Sequence, residues 1–434
     1  MNKVNGLVEF IENSKSSYHA VSEIAKLLKN NGFELLNDAC EWKIEKEHKY
    51  YVTKGGSSIL AFTVGNDVSD LSFNIVASHT DSPTFKIKPN ADFADAKYMK
   101  LNTEPYGGLI MSTWMDRPLS VAGRVLVKAE KGIESRLVDF NRDFCMIPNV
   151  CIHMNREVNT GFKYNPQVDM LPMLGLKKEG QTFNSLLANE LACKEEDILG
   201  HDLFLYNRDK GSVWGLDNDF VSIGRLDDLE CAYTSIEALI AANNTKNVNV
   251  CCCFDNEEVG SGTKQGADST FLFDTLSRVV ASLGLDNEAY LRALSQSFIV
   301  SADNAHAVHP NHPEKSDSTN RCHMNEGIVI KHNAAQSYTT DGYSNAIFTE
   351  ICNRVNVPLQ HFTNRSDLRG GGTLGSISSS HISIMSVDIG LPQLAMHSAY
   401  ETAGVKDVDY MITGLTAFYE THLHKTSDEM MELN

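Results

Sequence analysis

The 434-residue chain has no apolar run approaching the roughly 18 residues of a membrane span. It has no surplus of positive charge either. Its 38 Lys and Arg stand against 56 Asp and Glu, and the net charge of -18 argues against nucleic acid or an anionic membrane as partner. The same charge disfavours acidic substrates at long range unless the site carries its own cations. No Cys-x-x-Cys pair occurs among the 10 cysteines, which argues against a structural zinc knuckle. Cys251, Cys252 and Cys253 are consecutive, so in a strand they alternate between faces and cannot all find partners. They read as small core residues in a reducing compartment. A Gly-x-Ser-x-Gly elbow is missing, which disfavours a serine hydrolase. The glycine-rich run Arg369-Gly370-Gly371-Gly372-Thr373-Leu374-Gly375 lacks the Lys of a phosphate loop, and no dinucleotide-binding pattern surrounds it. Met1 to Gly6 lack the basic-then-apolar pattern of a secretory signal, so a cytoplasmic address is expected. There is no internal repeat and no low-complexity linker.

What remains is an ordinary globular composition, 42% hydrophobic and 22% charged, on a chain long enough for two domains. Apolar stripes predict two helices over 3–31, the second capped by Ser16 or Ser17 and closed at Asn31-Gly32. Strands are expected at 58–64, 71–77, 248–254, 297–302, 327–331 and near Leu359, with a last pair at 382–389 and 392–396. Helices are expected near 229–242, 268–283, 287–296, 343–355 and 407–424. Between about 90 and 222, glycines, short β-like runs and polar turns dominate, apart from a small helix or loop at 176–198. That stretch reads as a β-rich insertion in an α/β domain. Within it, Asn149 to Met154 reads as a short apolar strand with His153 as a core histidine.

The strand at 248–254 is nearly all apolar, broken only by Asn249, and runs into adjacent acids, Glu257 and Glu258. Carboxylates beside a low-dielectric core cost several kcal/mol unless something compensates them, and a cation would. His79, Glu257, Asp303 and His397 each follow an apolar strand, while Asp227 and Asp228 stand at a helix entrance, where either acid could bridge two cations. In a sheet covered by helices on both sides, ligands gather at the carboxyl ends of the strands. Two His, two Asp and a Glu make a ligand set for two zinc-like ions, with one Glu left to handle a proton. The chemistry such a set performs is metal-assisted hydrolysis. His306, His309 and His312 lie on a Pro-broken loop, where no more than one is expected near a site.

Several runs carry a resemblance: His79-Thr80-Asp81-Ser82-Pro83, Arg225-Leu226-Asp227, Asp255 to Ser261, Ser301 to Asn311, and Gln393 to Ser398. Together, in order and over nearly the whole chain, they resemble the aspartyl aminopeptidase and aminopeptidase I family. The resemblance implies a mixed-sheet α/β/α metallopeptidase domain over 1–90 and 223–434, with a β-rich dimerisation domain inserted at 91–222. It implies that His79 and Asp303 hold one Zn2+, that Glu258 and His397 hold the other, and that Asp227 bridges them, Mn2+ or Co2+ being possible substitutes. Glu257 would be the general base and Asp81 would orient His79. His153 would reach a neighbouring subunit's site, and His306 and Lys331 would line the substrate. Peptide substrates, release of single N-terminal residues and a dimer-based tetrahedral dodecamer follow from the same likeness. The loop 368–373 departs from the acidic-specific pattern and is closer to the aminopeptidase I branch, which places an acidic preference in doubt; Lys331 and Arg369 would be the cations to support one. The rival readings are a two-metal amidase or deacylase of small N-acyl substrates and a non-catalytic shell or cargo-binding homologue.

Overall fold

Val248–Phe254 is buried at every position, and its side chains separate by parity. Cys251 and Cys253 enter one hydrophobic core, whereas Val250, Cys252 and Phe254 enter the other. The consecutive cysteines are therefore packing residues on opposite faces of a single strand. The computed structural model describes residues 3–93, 95–368, 370–372, 375 and 381–434. Among these, Val248–Phe254 lies inside a 9-stranded mixed sheet. The order is Glu34–Leu35, Lys49–Lys54, Ser58–Val64, Val248–Phe254, Phe73–His79, Phe298–Ala302, Met385–Gly390, Ile328–His332 and Leu359–Thr363. Four neighbours, from Val248–Phe254 to Met385–Gly390, run parallel. Burial on both faces explains why these strands read as continuous apolar runs and not as alternating ones.

Helices Lys3–Asn13, Ser17–Asn30, Leu226–Ala241, Gly342–Arg354 and Val405–Glu420 cover one face, and Phe271–Ser282 and Asn287–Gln296 cover the other. Ser16 caps the second helix, its hydroxyl accepting from the His19 N–H. Asn249, the one break in its apolar strand, has a specific task. Its amide donates to the Tyr419 carbonyl, while Asn74 donates to Phe418 and Thr421, and Asn247 to Thr421. These three amides satisfy carbonyls that the end of Val405–Glu420 leaves without helical partners. The helix expected to reach residue 424 stops there, and Leu423–Ser427 pairs with Met430–Leu433 as a hairpin instead.

The second body of strands is a 6-stranded antiparallel sheet. It contains Gly132–Asp139, Leu119–Ala129, Ile198–Asn207, Thr84–Phe93, Tyr98–Tyr106 and Met173–Leu176, in that order, around its own apolar cluster. Helix Phe183–Glu190 packs there, opened by a capping box between Thr182 and Ser185. Two expectations shift. Phe73–His79 begins two residues later than 71–77, which makes His79 its final residue. Residues 149–154 form no strand; Cys151 to Met154 make an exposed turn, so His153 is not a core histidine. Arg369, Thr373 and Leu374, from the glycine-rich run, lie outside the described residues.

Candidate metal centre

The parallel strands end on one side of the sheet, and three of them deliver polar side chains there. His79 closes its strand and is 1% exposed. Asp303 follows Phe298–Ala302, and Glu257 and Glu258 share a single 3-10 turn after Val248–Phe254. Asn256 enters that turn at φ 64°, and His397 sits at φ 68°, both in the left-handed region. Asp227 and Asp228 precede the helical part of Leu226–Ala241 and are joined by a cis peptide bond.

Asp227 stands between the two imidazoles. Its Oδ1 is 3.4 Å from His79 Nε2 and its Oδ2 is 3.3 Å from His397 Nε2. Asp303 Oδ1 is 3.8 Å from His79 Nε2, and Glu258 Oε1 is 3.5 Å from His397 Nε2. Asp228 turns instead to the main chain, accepting the His79 N–H at 3.0 Å, although its carboxylate stays in the group with His79, Asp227 and Asp303. Glu257 joins His79 and Glu258.

Both imidazoles are held from behind. His79 Nδ1 is 3.0 Å from the Asp81 carbonyl and 3.3 Å from its carboxylate. His397 Nδ1 is 2.9 Å from the Gly108 carbonyl. In both cases this leaves Nε2 facing the acids. The Asp81 carboxylate also accepts the Glu257 and Glu258 N–H groups, each at 3.2 Å, which fixes the turn carrying both acids.

Three oxygens in this basin, Asp227 Oδ1, Asp228 Oδ1 and Glu258 Oε1, are buried without a hydrogen-bond partner. Burial pushes Glu257 up to about 7, with Asp303, Asp81 and Asp227 adding to the rise against His79. Burial also drives Glu258 well above the usual carboxylate range. Burial alone would lower His79 and His397, yet Asp228 and its neighbours lift His79 well above 6.5, and Asp227 and Glu258 lift His397 to about 10. So negative a field, with orphaned oxygens and imidazole nitrogens facing inward, is the environment a divalent cation stabilises. The donor set of imidazole and carboxylate fits zinc.

Lys331 is buried beside this basin, its Nζ 3.4 Å from Asp303 Oδ2 and donating to the Asn304 carbonyl at 3.3 Å. His306 stands edge-on to Phe362, and Phe362 to Tyr338, over which Lys331 lies. His153 is not brought to the basin; it stays on the exposed turn in the 149–154 segment.

Two residues escaped the sequence reading. Tyr106, from the antiparallel sheet, donates its hydroxyl proton to Asp81 Oδ2 at 2.7 Å and accepts from the Asn256 amide. Glu401, fully buried, accepts the N–H groups of both Asp227 and His397. An acid opening a buried strand four residues after His397 was a usable signal for Glu401. A tyrosine at a strand end is none.

The arrangement, acids and imidazoles converging at the carboxyl ends of parallel strands, defines a metal-dependent hydrolase. Residues 10–419 match the model of the aminopeptidase I zinc metalloprotease (M18) family, and the chain belongs to that family of metallo-aminopeptidases. A probable M18 family aminopeptidase 2 of Clostridium novyi is 51% identical over 423 residues, covering 96% of this chain and 98% of the relative. Among solved structures, the cryo-EM structure of the Ape4 and Nbr1 complex matches at TM-score 0.93 and 34% identity, over 96% of this chain and 85% of that one. The S. cerevesiae mApe1 dodecamer matches at TM-score 0.83 and 26% identity, over 96% of both chains.

Proposed function

We propose that the protein removes single residues from peptide N-termini, with two zinc ions per chain and Glu257 as the general base. The observation that carries this is Asp227, whose two oxygens face two different imidazoles, each with one further carboxylate beside it. In this reading His79 and Asp303 would hold one ion and His397 and Glu258 the other, with Asp227 shared between them; Mn2+ or Co2+ would fit the same oxygen and nitrogen donors. Bound zinc supplies Lewis-acid polarisation of the scissile carbonyl and acidifies water.

The rest falls to the chain. Glu257 takes a proton from the attacking water as the C–O bond forms, then gives it to the amine as the C–N bond breaks. Asp81 holds the His79 ring and, through two N–H groups, the position of Glu257. Lys331 and His306 face the substrate. The tier at 91–222 serves as a dimerisation domain and 1–90 with 223–434 as the catalytic one, supported by the separate antiparallel sheet, five of whose six strands fall inside 91–222. His153, exposed on that tier, would complete the site of a neighbouring copy. The likeness to the mApe1 dodecamer supports a dimer-based dodecamer. Free cysteines support a reducing, cytoplasmic address.

Glu257→Gln is expected to slow hydrolysis of leucine and glutamate anilides by about 10² to 10⁴-fold with zinc content unchanged. A wild-type rate in that variant would remove Glu257 from the role. Turnover of N-acetyl amino acids alone, with no anilide cleaved, would make the protein an amidase instead.

A further inference from the structure

The far end of the same sheet holds a second cluster of metal-ligating side chains. Asp70 precedes strand Phe73–His79 at the end opposite His79, and His422 and His424 belong to the closing segment that forms the C-terminal hairpin. One donor atom from each of the three lies within 4.8 Å of the others. His424 Nδ1 is 2.6 Å and His422 Nε2 is 3.4 Å from the same oxygen, Asp70 Oδ2.

The surrounding hydrogen bonds fix which atoms are free. The Asn247 amide nitrogen donates to the Thr421 carbonyl, which orients that side chain and leaves its Oδ1 as an acceptor. Ser72 donates to this oxygen, and His422 Nδ1 lies 2.8 Å from it. Nδ1 of His422 therefore carries a proton and donates it. In the neutral ring, Nε2 is then a lone pair aimed at a carboxylate oxygen, two acceptors facing each other. Something positive belongs between them. Gln296 donates to the other Asp70 oxygen, Oδ1, at 2.9 Å, so Oδ2 is the oxygen that both imidazoles face. An imidazole and a carboxylate each held by an outer amide is the support that metal ligands ordinarily have.

Ligand atoms about 2.0–2.2 Å from a tetrahedral zinc stand roughly 3.4 Å apart. The Asp70–His422 separation already has this value. The shorter Asp70–His424 pair must widen, which His424, with its side chain 37% exposed, is free to do. Because His422 is 12% exposed and Asp70 42%, the site opens to solvent on one side, where water would complete the coordination.

We propose that Asp70, His422 and His424 form a further binding site for a divalent transition-metal ion of the zinc class. It is separate from the basin at the other end of the strands, and it staples the C-terminal hairpin to the sheet. Two imidazoles and one carboxylate are donors suited to such an ion and not to calcium or magnesium, which take oxygen.

Equilibrium dialysis of the full chain against Zn2+, followed by elemental analysis, tests this. His424→Phe and Asp70→Asn are each expected to hold one zinc per chain fewer than wild type, while leucine-anilide hydrolysis stays within about twofold. Glu258→Ala is expected to keep the ion that His424→Phe loses, so the double variant loses more than either single one. Zinc should also slow amide hydrogen exchange across 423–433 in wild type and not in His424→Phe. Equal zinc content in wild type and both single variants would overturn the site, as would a double variant that loses no more than Glu258→Ala.

Discussion

The two large sheets of this molecule treat apolar side chains differently. In the nine-stranded sheet, Phe73, Val76, Val250, Cys252 and Val300 are fully buried. The six-stranded sheet buries one side and leaves Ile133 67%, Leu176 71% and Leu199 53% exposed, the first two on its edge strands. An exposed, apolar sheet edge is a surface that invites another chain. One sheet is covered by helices on both faces and carries the candidate metal centre at its strand ends. The other leaves apolar side chains open to solvent at its edges.

Stability measurements sharpen that contrast most. Phe73→Ala, at a position with no exposure, should cost about 3–5 kcal/mol in urea unfolding. Ile133→Ser should change monomer stability by no more than about 0.5 kcal/mol. Its effect should appear in sedimentation velocity instead, as a shift to smaller species. If Ile133→Ser destabilised the fold as much as Phe73→Ala, the contrast between the two sheets would be wrong.

A smaller effect is expected where the sheets meet. Tyr106 is the antiparallel sheet's contribution to Asp81, and Tyr106→Phe removes the hydroxyl that donates to Asp81 and accepts from Asn256. A loss of about tenfold in kcat, near the 1.4 kcal/mol of one charge-assisted hydrogen bond, should leave KM and zinc content unchanged. A matching rise in KM would place Tyr106 on the substrate instead.

The smallest effect is electrostatic. Asp202, on the six-stranded sheet, accepts from Lys86 and Arg124 of that same sheet and from Tyr18 of helix Ser17–Asn30, which covers the other one. Burial raises its carboxyl, but the Lys86 and Arg124 cations outweigh that and hold it below the usual range. A depressed carboxyl contributes stability above its unfolded pKa of about 3.9 and loses it as pH falls through the folded value. Asp202→Asn should therefore lower Tm at pH 7 and make no difference at pH 2. An equal loss at both would assign the effect to packing.

The same contrast governs what could be read beforehand. Strands buried on both faces leave unbroken apolar runs, so Val248–Phe254 and its neighbours were legible, and so were the acids and imidazoles just beyond their ends. The 149–154 segment misled because Val150, Ile152 and Met154 are apolar yet 49%, 47% and 84% exposed, and apolarity in sequence is ordinarily evidence of burial. Tyr106 acts through a contact between two sheets, which no local pattern encodes. The end of the last helix was missed for a similar reason. The groups that meet its final carbonyls come from strands over 150 residues away, as in the separations of 170 and 344 between Asn249 and Tyr419 and between Asn74 and Phe418.

Those asparagines carry one more implication. At Asn74, Asn247 and Asn249 the surrounding structure reads chemical identity and not size, for an aspartate has the same outline. Hydrolysis of one amide to an acid would exchange a donor for an anion and set it against the negative pole of a helix, inside a sealed interior. Slow chemical ageing at any of the three would then loosen the closing helix and the tail behind it, while every apolar contact in the molecule remained intact.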